Sequence, residues 1–142
     1  MTIVLGYDES PGARRALDQA VDIAGRMTET LVVVYADEPP SRMGEEYGAH
    51  ADALAERGRA ALAEATAAAR AAGVTVEVEL VEEKPAQALL DVADARDARL
   101  IIVGTYGESP LRGAMLGSTP HKLLHWSSRP VLCVPPPDDE AG

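Results

Sequence analysis

Short apolar runs alternate with helical patterns along the whole chain. Ile3-Val4-Leu5-Gly6-Tyr7 reads as a first strand. Ala13, Leu17, Ala20, Val21 and Ala24 then recur at intervals that place them on one helix face. Ser10 or Asp8 can cap that helix, and Pro11 stands where a first-turn proline is tolerated. Leu31-Val32-Val33-Val34-Tyr35 is apolar at successive positions, as expected for a strand covered on both faces. Asp37 to Gly48, with Pro39-Pro40 and two glycines, reads as a loop. An alanine-rich helix follows from about Ala49 to Ala72, burying Leu54, Ala61, Leu62, Ala65 and Ala69, and Gly73 ends it. Strict alternation from Val74 to Leu80 leaves one face wet and places that strand at a sheet edge. Pro85 opens a third helix carrying Leu89, Val92 and Ala93, and the continuous apolarity of Leu100 to Val103 predicts a central strand. Pro120 to Ser127 completes the helices and Val131 to Val134 the strands.

Strands alternating with helices imply right-handed βαβ units around a parallel sheet, hence an α/β fold that is open and doubly wound, with five strands. Ligands of such sheets bind beyond the carboxyl ends of the strands, where the strand order reverses. The pattern alone does not fix the order. With the order 3-2-1-4-5, the crevice falls between the first and fourth strands, where Gly6-Tyr7-Asp8-Glu9-Ser10 would face Gly104-Thr105-Tyr106-Gly107. Nine residues after Gly107 comes Gly117-Ser118, followed by the helix-start signal Thr119-Pro120. A strand that ends in glycines and re-enters a helix through Gly-Ser presents bare backbone N–H groups to an anion. Glycine suits this role because a Cβ would obstruct the close approach of a phosphate.

The chain of 142 residues fits a single domain, and its net charge of −10 argues against a broad nucleic-acid surface. Phenylalanine is absent, so the core is expected to be aliphatic. The single cysteine, Cys133, rules out a disulfide framework within the chain and reads as a small buried residue. The N-terminus enters a strand without a basic leader, and no apolar run approaches the roughly 20 residues of a membrane span. Together these features predict a cytoplasmic protein with no membrane partner. The acidic tail at residues 137–142, after Pro135-Pro136-Pro137 has begun, is expected to be disordered beyond a domain of residues 1–136.

Gly104-x2-Gly107-x9-Gly117-Ser118 resembles the nucleotide-binding signature G-x2-G-x9-G-(S/T) of the universal stress protein family. Val4 to Ser10, Leu31 to Asp37, Leu100 to Gly104 and Arg129 to Pro135 also resemble that family's first, second, fourth and fifth strands. The resemblance implies a Rossmann-like, adenine nucleotide α-hydrolase-like domain that binds ATP, ADP or AMP, forms a homodimer and has little or no catalytic activity. Carried over by position, it implies that Gly107, Gly117, Ser118 and Thr119 contact phosphates and ribose. Asp8 would sit near the ribose or a Mg2+ ion, Gly6 and Tyr7 would lie against the nucleotide, and Ala36, Val103 and Gly104 would line the adenine slot. Tyr106 stands between the first two glycines, where the family varies. The partner strand would be residues 129–135, paired across a two-fold axis to cover an apolar edge.

Two other classes compete with a nucleotide-dependent stress regulator. One is an interaction module whose pocket is unused, against which stand the retained glycines and Ser118. The other is an enzyme on the related scaffold, which typically carries Ser-Gly-Gly-x-Asp-Ser where this chain has Gly6-Tyr7-Asp8-Glu9-Ser10-Pro11. No nucleophile with an adjacent base is visible and a Walker A sequence is absent, so any ATP hydrolysis should be slow. His121 and His125 share a helix face but lack a zincin glutamate and a third ligand, so they read as surface or dimer-side residues. Trp126 reads as a packing residue below the last strand.

Overall fold

Runs of Val, Ile and Leu form strands here because β-branched and aliphatic side chains suit a pleated surface that is covered on both sides. A computed structural model describes residues 1–8, 10–38, 45–105 and 116–136, apart from the side chains of residues 45–47 and 50. The elements are β1 (Thr2–Gly6), α1 (Pro11–Met27), β2 (Thr30–Ala36), α2 (Glu45–Ala71), β3 (Val76–Val81), α3 (Pro85–Ala95), β4 (Ala98–Gly104), α4 (Ser118–Trp126) and β5 (Val131–Val134). All strand pairs are parallel, and the single five-stranded sheet runs β3-β2-β1-β4-β5, the doubly wound order expected.

Alternate residues of each strand serve opposite layers. Ile3, Leu5, Leu31 and Val33 pack under Ala16, Leu17 and Ala20 of α1 and Ala61, Leu62 and Ala65 of α2. Val4, Val32, Val34, Ile101 and Val103 pack under Leu89 and Val92 of α3 and Leu123 of α4. Each fully buried Leu or Ile contributes about 1.5–3 kcal/mol, and the alanines let the helices lie close to the sheet. The connection leaving β1 therefore crosses one face of the sheet, and that leaving β4 crosses the other.

Several boundaries depart from the expected ones. Helix α2 begins at Glu45, inside the segment expected to be a loop, because Glu45 and Glu46 are good helix formers whose charge suits a helix N-terminus. Gly73, at φ 76, ends α2, and the Val74 N–H donates to Ala69 O at 2.9 Å, so β3 starts only at Val76. β4 begins earlier than expected, at Ala98. α4 begins at Ser118, not Pro120; Pro120 still lies in the first turn, where its missing N–H has no helical partner to lose. Cys133 is half-buried, not buried, because β5 is an edge strand; burial still pushes its thiol upward from the ordinary range. Trp126 is 60% exposed at the end of α4, so it does not pack as expected. His121 and His125 are exposed and stack with ring centroids 6.4 Å apart. The expected tail at 137–142 lies outside the described residues. Among the described residues, no helix is long and apolar enough to cross a membrane.

β3 is an edge strand, as its alternation predicts, with Val78 and Leu80 substantially exposed. Arg96, just after α3, pairs with Glu77 at 2.7 Å and Glu79 at 3.0 Å and so ties this edge to the helix that leaves it. Charged residues along an edge also discourage pairing with other chains.

Gly104 ends β4 where α1 begins. A Cβ there would lie 3.0 Å from Gly12 C and 3.1 Å from Gly12 O, both backbone atoms that cannot swing aside. Its glycine is therefore required for helix–sheet packing, whatever else it does. Gly104→Ala should destabilise the fold by about 1–3 kcal/mol, read as a lowered urea midpoint at unchanged slope. An unaltered midpoint would show that α1 shifts without cost.

Candidate functional site

The divergence of the two connections opens a crevice of about 420 Å³ at the carboxyl ends of the strands. That volume lies within the range of small-molecule sites, roughly 300–1,000 Å³. Gly6, Tyr7 and Asp8 line it from the end of β1, and Ala36 from the end of β2. Val103 and Gly104 enter from β4, and Gly117, Ser118 and Thr119 from the start of α4. The structure thus brings together every described residue that the sequence singled out. Tyr106 and Gly107 lie outside the described residues.

Local chemistry explains how each wall is held. Ser10 is the N-cap of α1, its Oγ accepting from the Ala13 N–H at 3.1 Å. Asp8 Oδ1 accepts from the Ser10 N–H at 3.0 Å, so Asp8 fixes the turn before the cap and is not the cap itself. Its other carboxylate oxygen has no hydrogen-bond partner among the described residues. The Gly117 N–H donates to Thr105 O at 2.7 Å, pinning the start of α4 to the end of β4. Gly117 caps α4 without a side chain, and no side-chain hydrogen bond closes this helix end. The Ser118 and Thr119 N–H groups, in the first turn, are therefore left toward the crevice with the partial positive charge of a helix start.

Tyr7 lines the crevice and is anchored from below it. Its side chain shares the Leu5 face of β1 and is 3% exposed in the layer beneath α1 and α2. Its O–H donates to the Glu64 carboxylate of α2, which also accepts from Arg14 Nε at 3.3 Å. The Tyr7 N–H donates to Val34 O at 3.0 Å, so this residue locks β1, β2, α1 and α2 together under the crevice floor. Gly6, on the opposite face, leaves room that Leu89 and Val103 occupy; a Cβ would meet them at 2.9 and 3.2 Å.

Sequence reasoning missed Asp37, Arg57, Pro85 and Leu89 among the lining residues. Asp37 and Pro85 follow strand ends and could have been found by asking what leaves each carboxyl end. Arg57 lies within α2 and carried no local signal. Among the described residues no cluster of three or more His, Cys, Asp or Glu side chains could hold a metal ion. Any divalent ion here would need a ligand's own oxygens beside a carboxylate.

The sheet order and the crevice define a doubly wound α/β protein with a pocket suited to a small anionic ligand. The sequence pattern of the universal stress protein family matches residues 1–135. This chain belongs to that family. A universal stress protein of Thermus aquaticus, encoded in the QAH/OAS sulfhydrylase 3′ region, is 36% identical over 135 residues, covering 94% of this chain and 97% of its own. The hypothetical protein MJ0577 superposes with a TM-score of 0.88 at 22% identity, covering 96% of each chain, a likeness of fold. A universal stress protein solved in complex with cAMP has a TM-score of 0.70 at 33% identity, covering 94% of this chain and 95% of that one.

Burial, reinforced by the Glu64 carboxylate, raises the Tyr7 hydroxyl well above the ordinary tyrosine range. The unfolded chain releases this proton near pH 10, about the ordinary value, while the folded one retains it. The linked stability is therefore full below that pH and lost as pH rises above it. Subtracting the ultraviolet titration of Tyr7→Phe from that of the wild type should reveal no tyrosinate step near about pH 10 in folded protein. A step there would place the hydroxyl in water.

Proposed function

We propose that this protein binds ATP, or ADP or AMP, in the crevice and acts as a homodimeric, nucleotide-dependent regulator of the stress response with little or no ATPase activity. The observation that carries this reading is the start of α4, without a side-chain cap and pinned beside the end of β4, lining the same crevice as Asp8. Backbone N–H groups at a helix start favour an anion, and the Ser118 and Thr119 hydroxyls add donors. Gly117 admits phosphates to that backbone, and Gly107 is assigned the same role by its place in the signature. The open oxygen of Asp8 is suited to accept from ribose hydroxyls, or to contact a Mg2+ ion bound through the phosphates, where the ion would neutralise their charge. Val103 and Ala36 offer apolar surface to the base, and Gly104 and Gly6 keep the walls free of side chains. The relative bound to cAMP supports an adenine nucleotide as the ligand class.

Calorimetry with ATP, ADP, AMP and cAMP tests the ligand class, together with denaturation of freshly purified protein to release any retained nucleotide. Gly117 sits at φ −62, a conformation open to any residue, so Gly117→Val keeps the backbone while filling the phosphate path. This variant should lose ATP binding without a change in circular dichroism. Unchanged affinity would remove the phosphate assignment, and an empty, non-binding wild type would favour the interaction module.

The dimer reading rests on β5. This strand is an edge with Leu132 exposed, and Leu124 and Trp126 of α4 are exposed nearby in sequence. Pairing residues 129–135 with a second copy would satisfy the strand's free edge and cover this apolar surface. Sedimentation at micromolar concentration should give a dimer that Leu132→Glu dissociates. A monomeric wild type would refute the assignment.

A further inference from the structure

We propose that Arg57 is a specificity-determining residue that lays its guanidinium plane against the base end of the nucleotide; this rests on the nucleotide reading of the crevice. Arg57 is the only basic side chain among the described residues lining the pocket. It is exposed and forms no ion pair among the described residues, so no internal carboxylate claims it.

Its position in the crevice decides what it meets. The donors of α4 stand beyond β4, whereas Arg57 approaches from α2, which covers the β2–β3 side of the sheet. β2 and β4 flank β1, so their ends are separated by about 10 Å, two strand spacings. A nucleotide whose phosphates occupy the α4 start therefore turns its other end toward Arg57. That end is uncharged and heteroaromatic, and a planar guanidinium stacks on such a ring.

Gly58 supports the assignment independently of the pocket. A Cβ on this buried residue would come within 2.4 Å of Leu80 Cδ1 and 2.8 Å of Tyr35 Cδ1. The missing side chain draws α2 down onto the ends of β2 and β3, at the position next to Arg57. Helix placement at that point thus brings the cation to the mouth of the crevice.

Calorimetric titration of wild type and Arg57→Ala with adenosine, AMP and ATP tests the proposal, with circular dichroism confirming the fold of the variant. A base contact predicts the same loss for all three ligands, about three- to ten-fold, insensitive to added salt. Unchanged affinities would overturn it, as would a loss that grows with phosphate number and fades with salt, since that identifies a phosphate contact. If wild type bound none of the three, the nucleotide reading would fall and this inference with it. Binding by wild type with an indifferent Arg57→Ala would overturn only the role of Arg57.

Discussion

Adjacent parallel strands whose onward connections depart to opposite faces leave a gap that no side chain of the sheet can fill. β1 sends the chain over one layer through α1, and β4 sends it over the other through α4. The gap at their carboxyl ends follows from the requirement that both faces of a parallel sheet be covered. The residues proposed to hold a nucleotide sit where that requirement opens the surface. The crevice is thus a consequence of topology, and the residues around it determine only what it holds.

The anchoring of its walls is correspondingly local. Ser10 closes α1, Asp8 fixes the turn before it, and Thr105 holds Gly117. Beneath the floor, Tyr7, Glu64 and Arg14 form a polar contact between the first strand and two helices. A buried hydroxyl that meets a carboxylate is satisfied only in one arrangement, so the contact fixes how α2 sits over β1. Glycines serve unequal purposes in this scheme. Gly104 and Gly58 allow elements to pack closely, whereas Gly117 keeps a helix start bare.

Much of this was legible in the sequence because the strands announce themselves. Leu31 to Tyr35 could be placed on a doubly covered strand from apolarity alone, and the alternation of Val74 to Leu80 marked an edge. Strand order was not readable from periodicity, since pairing is a long-range property; the order 3-2-1-4-5 was favoured because it sets the segments after Gly6 and Gly104 face to face. Period two already placed the Tyr7 side chain on the Leu5 face, but not that its hydroxyl would meet Glu64 of α2. Arg57 was invisible because its arrival at the crevice depends on how closely α2 meets Tyr35 and Leu80, a tertiary fact that Gly58 alone does not reveal. Trp126 was expected to pack below the last strand, but as the final residue of α4 it stands 60% exposed.

The placement of Trp126 has an optical consequence. It is the sole indole of the chain, and it stands largely in water at the far end of the helix whose first turn borders the crevice. Because the interior of a subunit contains no such fluorophore, melting an isolated subunit would scarcely shift the emission colour. Burial of the ring by a neighbouring subunit would instead turn it blue. Fluorescence of this molecule therefore monitors who sits beside it, and unfolding of a lone subunit must be followed through the peptide chromophore.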